Sequence, residues 1–89
     1  AHEAEVKQAL LPGLEIGQYP LLSETAIGSL IGKKLGEINL DPGLHIEAIR
    51  RDGKVLRADP ETELLADDQL TIIAPTGTLP SGEELADKV

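Results

Sequence analysis

Two β-rich runs on either side of Asp52-Gly53 constrain this chain more than any other feature. Residues 44–58 read LHIEAIRRDGKVLRA. A two-residue type I′ turn needs positive φ at both central positions, and Asp-Gly is one of the pairs that supply it. A hairpin is therefore expected here, and with it a mainly antiparallel sheet. Leu44, Ile46 and Ala48 alternate with His45, Glu47 and Ile49. Ile49 breaks the polar side of that alternation, so part of the strand is expected to be covered on both faces.

The other segments are read around this hairpin. In residues 2–11, HEAEVKQALL, the pairs Glu3/Lys7 and Val6/Leu10 are each four apart. That spacing predicts a short amphipathic helix stopped by Pro12-Gly13. Leu14 and Ile16 alternate, but Pro20 interrupts, so the stronger strand is expected just after it, around Leu21 to Thr25. Ile31, Leu35 and Ile38 lie at i, i+4 and i+7, which predicts a short helix within residues 30–40. Gly32 and Gly36 lower its intrinsic propensity, so packing must hold it. Asp41-Pro42-Gly43, Asp59-Pro60 and Asp67-Asp68 read as turns. Leu64 and Leu65 fall on a short extended or helical piece. Gln69 to Ala74 reads as a strand with Leu70, Ile72 and Ala74 on one face. Pro75 to Gly82 is expected to be loop, Ser81 a candidate helix cap, and residues 83–88 a frayed helix or tail.

The expected class is α+β: a small, mainly antiparallel sheet with a short helix packed on it. Its organisation would be a connector helix over residues 1–13, the domain proper over 14–79 and a C-terminal tail over 80–89. The chain begins at Ala1 rather than Met, as an excised fragment or a processed chain would. With 89 residues and one aromatic, Tyr19, the core must be thin and aliphatic. A thin core without staples gains stability from a partner subunit, so a homodimer is expected.

Composition excludes several chemistries. The absence of Cys removes disulfides, thiolate metal sites and cysteine nucleophiles, and fits a reducing compartment. A net charge of −8, from 16 acidic and 8 basic residues, argues against general affinity for nucleic acid or anionic membrane. No apolar run approaches the roughly 20 residues of a membrane span, and no signal peptide is visible, so no direct membrane insertion is expected.

No catalytic constellation or metal site emerges. His2 and His45 fall in different elements. Asp59, Glu61 and Glu63 alternate like a calcium loop but lack its glycine and its distal glutamate. Ser23, Ser29 and Ser81 have no nucleophile-elbow context. Gly28, Gly32 and Gly36 do not form a dinucleotide or phosphate-loop pattern. Lys33 and Lys34 either hold an anion at a helix start or are simply exposed. Six of the eight basic residues, Lys33, Lys34, Arg50, Arg51, Lys54 and Arg57, lie within residues 33–57. This asymmetry points to an anionic partner. The alternative is cross-strand pairing with Glu47 and Asp52, worth about 0.2–1 kcal/mol per pair.

Three stretches in order resemble one family. Leu30-Ile31-Gly32-Lys33-Lys34-Leu35-Gly36-Glu37-Ile38-Asn39-Leu40 is similar to its "L-x-G-K-T-L-x-E-L-x-L" segment. Ile46-Glu47-Ala48-Ile49-Arg50-Arg51-Asp52-Gly53 is similar to its "V-x-A-I-R-R-x-G" hairpin. Pro60, Leu64-Leu65 and Ala66-Asp67-Asp68-Gln69-Leu70-Thr71-Ile72 resemble "P-x-x-x-x-L-x-x-G-D-x-L-x-V". The family is the C-terminal RCK, or TrkA-C, domain, and the resemblance runs from about Leu21 to Thr78. Asp67 stands where the family usually has Gly, and Pro75-Thr76 stands near its glycine after the last strand.

The resemblance implies a TrkA-C-like fold and a non-enzymatic, ligand-sensing and dimerising regulatory domain. Its setting would be the cytosolic face of the inner membrane, attached to a bacterial cation channel or transporter, potassium above all. Chloride channels and sodium–proton antiporters carry related copies, and a purely structural dimerisation module is the remaining alternative. Some members bind cyclic di-AMP at the dimer interface. An anionic nucleotide of that kind would find Asn39, His45, Ile46, Arg50 and Arg51, which follow the helix or line the first hairpin strand. No cofactor is implied.

Overall fold

The computed structural model describes residues 6–87, with side chains from residue 12 onward. Five antiparallel strands form one sheet: β1 Val6–Leu11, β2 Leu14–Pro20, β3 His45–Arg51, β4 Lys54–Arg57 and β5 Gln69–Pro75. Their spatial order is β1-β2-β5-β3-β4. Two 3₁₀ turns, Ala26–Leu30 and Leu35–Glu37, lie between β2 and β3, and a short helix α1, Gly82–Ala86, closes the described chain. This is the expected α+β class.

The hairpin forms as its sequence demands. Arg51 pairs with Lys54, and Asp52 and Gly53 sit at φ 51° and 76°. A β-bulge at Glu47 explains why Ile49 breaks the alternation. Along β5, Ile46 faces Ile72 while Ala48 faces Thr71, so one residue is extra. The extra residue flips the side-chain sequence, so Ile46 and Ile49 both face the core although they are three apart. Ile49 is fully buried on that single face, and coverage on both faces is not needed.

Three local expectations are corrected. The helix expected up to Leu11 is a strand from Val6, and Pro12-Gly13 turns it into β2 rather than stopping it. A helix of ten residues is marginal on its own, and pairing with β2 satisfies the same backbone groups. Residues 2–5 lie outside the described part. The strand expected after Pro20 lies before it: β2 pairs with β5 from Leu14↔Pro75 to Pro20↔Gln69. Pro20 ends the ladder, where its missing N–H costs least.

The helix expected within residues 30–40 is not continuous, and only the 3₁₀ turn Leu35–Glu37 forms inside it. Gly32 adopts φ 90°, which ends the first 3₁₀ turn, and the chain then runs beside residues 60–64. Gly32 N–H donates to Leu64 O (2.7 Å), Leu64 N–H to Lys33 O (2.8 Å), Leu35 N–H to Thr62 O (3.0 Å) and Gly36 N–H to Pro60 O (2.9 Å). Cross-chain bonds thus replace helical ones. The apolar period still has a use, since Leu35 and Ile38 are buried and Ile31 packs against the core.

One face of the sheet carries that core. Ile49, Leu70, Ile72 and Ala74 meet Leu21, Ile27, Leu30 and Leu64. Tyr19, fully buried, donates from its hydroxyl to Pro80 O at 2.7 Å, which draws the segment after β5 onto the sheet. The chain beyond residue 80 is a packed element. Glu84 N–H donates to Ser81 Oγ (3.1 Å) and Ser81 N–H to Glu84 Oε1 (2.8 Å), a capping box. Leu85 is buried, and α1 packs on the first 3₁₀ turn.

Candidate functional site

Arg50 and Arg51 end β3 and point to opposite faces. Arg51 turns to the core side. Its Nε donates to Asp68 Oδ1 (2.8 Å), and its Nη2 donates to Asp68 Oδ2 (2.7 Å) and to Glu63 O (2.9 Å). Leu65 N–H adds a third donor to the carboxylate at 2.9 Å. Asp68 is 1% exposed. Burial pushes the Asp68 carboxyl up, but the Arg51 hydrogen bonds, the Leu65 N–H and the Arg51 charge outweigh it, so it titrates below the ordinary carboxylate range. The same bonds to Asp68 raise the Arg51 guanidinium. This fork ties the turn end of the hairpin to the turn that starts β5.

The turn itself needs a left-handed residue. Asp67 supplies it at φ 69°, at the position where the resemblance has glycine. Asp67-Asp68 forms the turn expected of it, with Asp68 as its buried member. The available signal was its place immediately before the first residues of β5.

The five candidate ligand residues fall in different surroundings. Asn39 is exposed on the loop that leads to β3. His45 opens β3 on the outer face, opposite Ile73, with Nε2 3.3 Å from Glu47 Oε2. Ile46 faces inward and lines a shallow depression of about 130 Å³ with Leu35, Gly36, Ala58, Asp59 and Pro60. Arg50 faces outward and lines another of about 120 Å³ with Gln18, Ala48, Ile49, Val55 and Thr71. Gln18 Oε1 accepts from Gln69 Nε2 (2.6 Å) and Thr71 Oγ1 (3.0 Å) at its floor. Arg51 is held by Asp68. Within one chain the five do not converge on a single pocket. Gln18, Thr71 and Val55 join Arg50 through strand order alone, which no local pattern encodes.

The anion site considered at Gly32-Lys33-Lys34 has no helix start to build on. The N–H groups of Gly32 and Lys33 are taken by Leu64 O and Leu30 O, and that of Lys34 by Glu37 Oε1 at 2.7 Å. Lys34 Nζ pairs with Glu61 Oε1 at 3.2 Å. Asp59 Oδ1 accepts from Glu61 N–H at 2.9 Å, an ordinary Asx turn. Among the described residues no group of three or more His, Asp or Glu side chains is placed to hold a metal ion. No described helix is long and apolar enough to cross a membrane.

A small antiparallel α+β module with a forked hairpin and no metal cluster among its described residues is the class that the geometry defines. The chain belongs to the TrkA-C domain family, whose pattern matches residues 24–86. That family comprises regulatory domains of ion transport proteins, which are generally non-enzymatic. Among solved structures the chain is similar to the crystal structure of the GsuK RCK domain, with a TM-score of 0.69 and 23% identity. The likeness covers 97% of this chain and 19% of that one, so the chain spans about a fifth of its length. No curated protein matches the sequence.

Proposed function

We propose that this domain is a cytoplasmic, dimerising sensor of a potassium channel or transporter, biased by an anionic nucleotide of the cyclic di-AMP kind. The TrkA-C match over residues 24–86 carries this reading. Three features support it. Asn39, His45 and Arg50 are exposed along the loop and outer face of β3. Arg50 has no ion-pair partner among the described residues. The two depressions beside β3 are each too small for a nucleotide, which fits a pocket completed by a second copy. Arg51 has the supporting role of holding the hairpin on Asp68. A ligand regulates transport only through a difference in affinity between two states of the parent protein.

Isothermal titration of the chain with cyclic di-AMP, together with sedimentation velocity, tests the proposal. Heat on titration and a dimer are expected. A dimer without heat would favour a purely structural dimerisation module, for which the half-exposed apolar residues Ile16, Ala48 and Ile73 of the outer face argue. A chloride channel or sodium–proton antiporter is the alternative parent.

A further inference from the structure

Strand β4 is one of the two edges of the sheet, and its Lys54, Val55 and Arg57 are exposed. Arg51–Lys54 closes the hairpin as a hydrogen-bonded pair, and Ile49–Leu56 is the next such pair. The N–H and C=O of Val55 and Arg57 therefore point away from the sheet, and neither makes a backbone bond elsewhere. Native edges are blunted by shortness, charged side chains, covering, bulges or proline, and β4 is short with Lys54 and Arg57 on it. Between those two cations lies an exposed valine: Val55 is 68% exposed, more than Leu65, the other exposed large hydrophobic among the described residues.

Charge selects what the edge can take. Arg50 and Arg57 share the outer face with Val55 while Lys54, paired with Arg51, lies on the other face, and none of the three has an ion-pair partner among the described residues. They are concentrated on one hairpin of a chain whose net charge is −8. A second β4 laid against this edge would set cations against cations, which opposes pairing. An acidic strand would gain hydrogen bonds at Val55 and Arg57 and carboxylate partners for Arg50 and Arg57 on the outer face. The depression beside Arg50 and Val55 offers room for one of its side chains.

We infer that the open edge of β4 docks an extended acidic segment of a partner protein by adding a sixth strand. This interaction shares Arg50 with the proposed nucleotide site, and its test leaves Arg50 intact so that the two are read separately.

The probe is a capped synthetic peptide of alternating Glu and Val, titrated into the isotope-labelled 89-residue chain and followed by amide shifts and exchange. The expected result is slowed exchange at the Val55 and Arg57 amides. The variant Arg57→Glu should weaken binding about fivefold, from the outer-face cross-strand pair turned repulsive. Val55→Pro, which removes an outward N–H and leaves the β3 ladder whole, should abolish it. If Val55→Pro unfolds the chain, the charge-reversed variant decides alone. Equal binding of the matching Lys–Val peptide overturns the inference, as do shifts that bypass β4. Anionic phosphatidylglycerol vesicles that perturb β4 where the Glu–Val peptide does not would also overturn it, in favour of a lipid surface.

Discussion

The two faces of the β3–β4 hairpin use the same kind of side chain under opposite conditions. On the inner face, Arg51 meets a carboxylate that is 1% exposed, and all its directed bonds are short. On the outer face, Arg50 and Arg57 stand in solvent around Val55. A charge near buried apolar surface must be paired, so the inner arginine is bound to structure. A solvated charge costs little to leave alone, so the outer ones are free for recognition. Adjacent identical residues are thereby divided between holding the fold and facing a partner.

The strongest way to break this contrast is to remove the inner arginine. Arg51→Ala leaves the Asp68 carboxylate buried without its fork and should cost about 3 kcal/mol of stability. Arg50→Ala should stay within about 0.5 kcal/mol. Urea denaturation of both variants measures the difference, and similar losses would erase the distinction between the faces.

Acid offers a smaller lever on the same bond. Asp68 titrates lower in the folded chain than unfolded. Its contribution is therefore present above the unfolded value of about 3.8 and is lost as pH falls below it through the folded value. Thermal unfolding from pH 6 down to pH 2 should show this loss. It should be weaker in a variant that already lacks Arg51, because the hydrogen bonds and charge that lower the Asp68 value come mainly from that residue.

The smallest expected effect sharpens the comparison at its hinge. Asp67 holds a left-handed conformation next to Asp68. Asp67→Gly removes that strain and adds unfolded-state freedom, so a net gain of about 0.5 kcal/mol is expected. A loss in the same denaturation assay would show that the Asp67 side chain contributes to the turn.

Elements whose geometry is local were legible. Asp52-Gly53 fixed its own turn because both residues tolerate positive φ, and Gln69 to Ala74 showed its strand through Leu70, Ile72 and Ala74 on one face. Ser81 showed its cap through Glu84 three residues on. Elements decided by partners were not legible. Residues 6–11 carry helical spacing but take strand form because β2 lies beside them, and residues 32–36 exchange helical bonds for bonds to residues 60–64.

The sequence by itself determined the hairpin, the aliphatic core, the family and the clustering of cations within residues 33–57. Only the tertiary structure decided which of those cations are bound. A bulge at Glu47 changes which way each later side chain of β3 points, and strand order brings Asp68 to Arg51 across 17 residues. Pairing register and burial are properties of several segments together, so no single segment can state them.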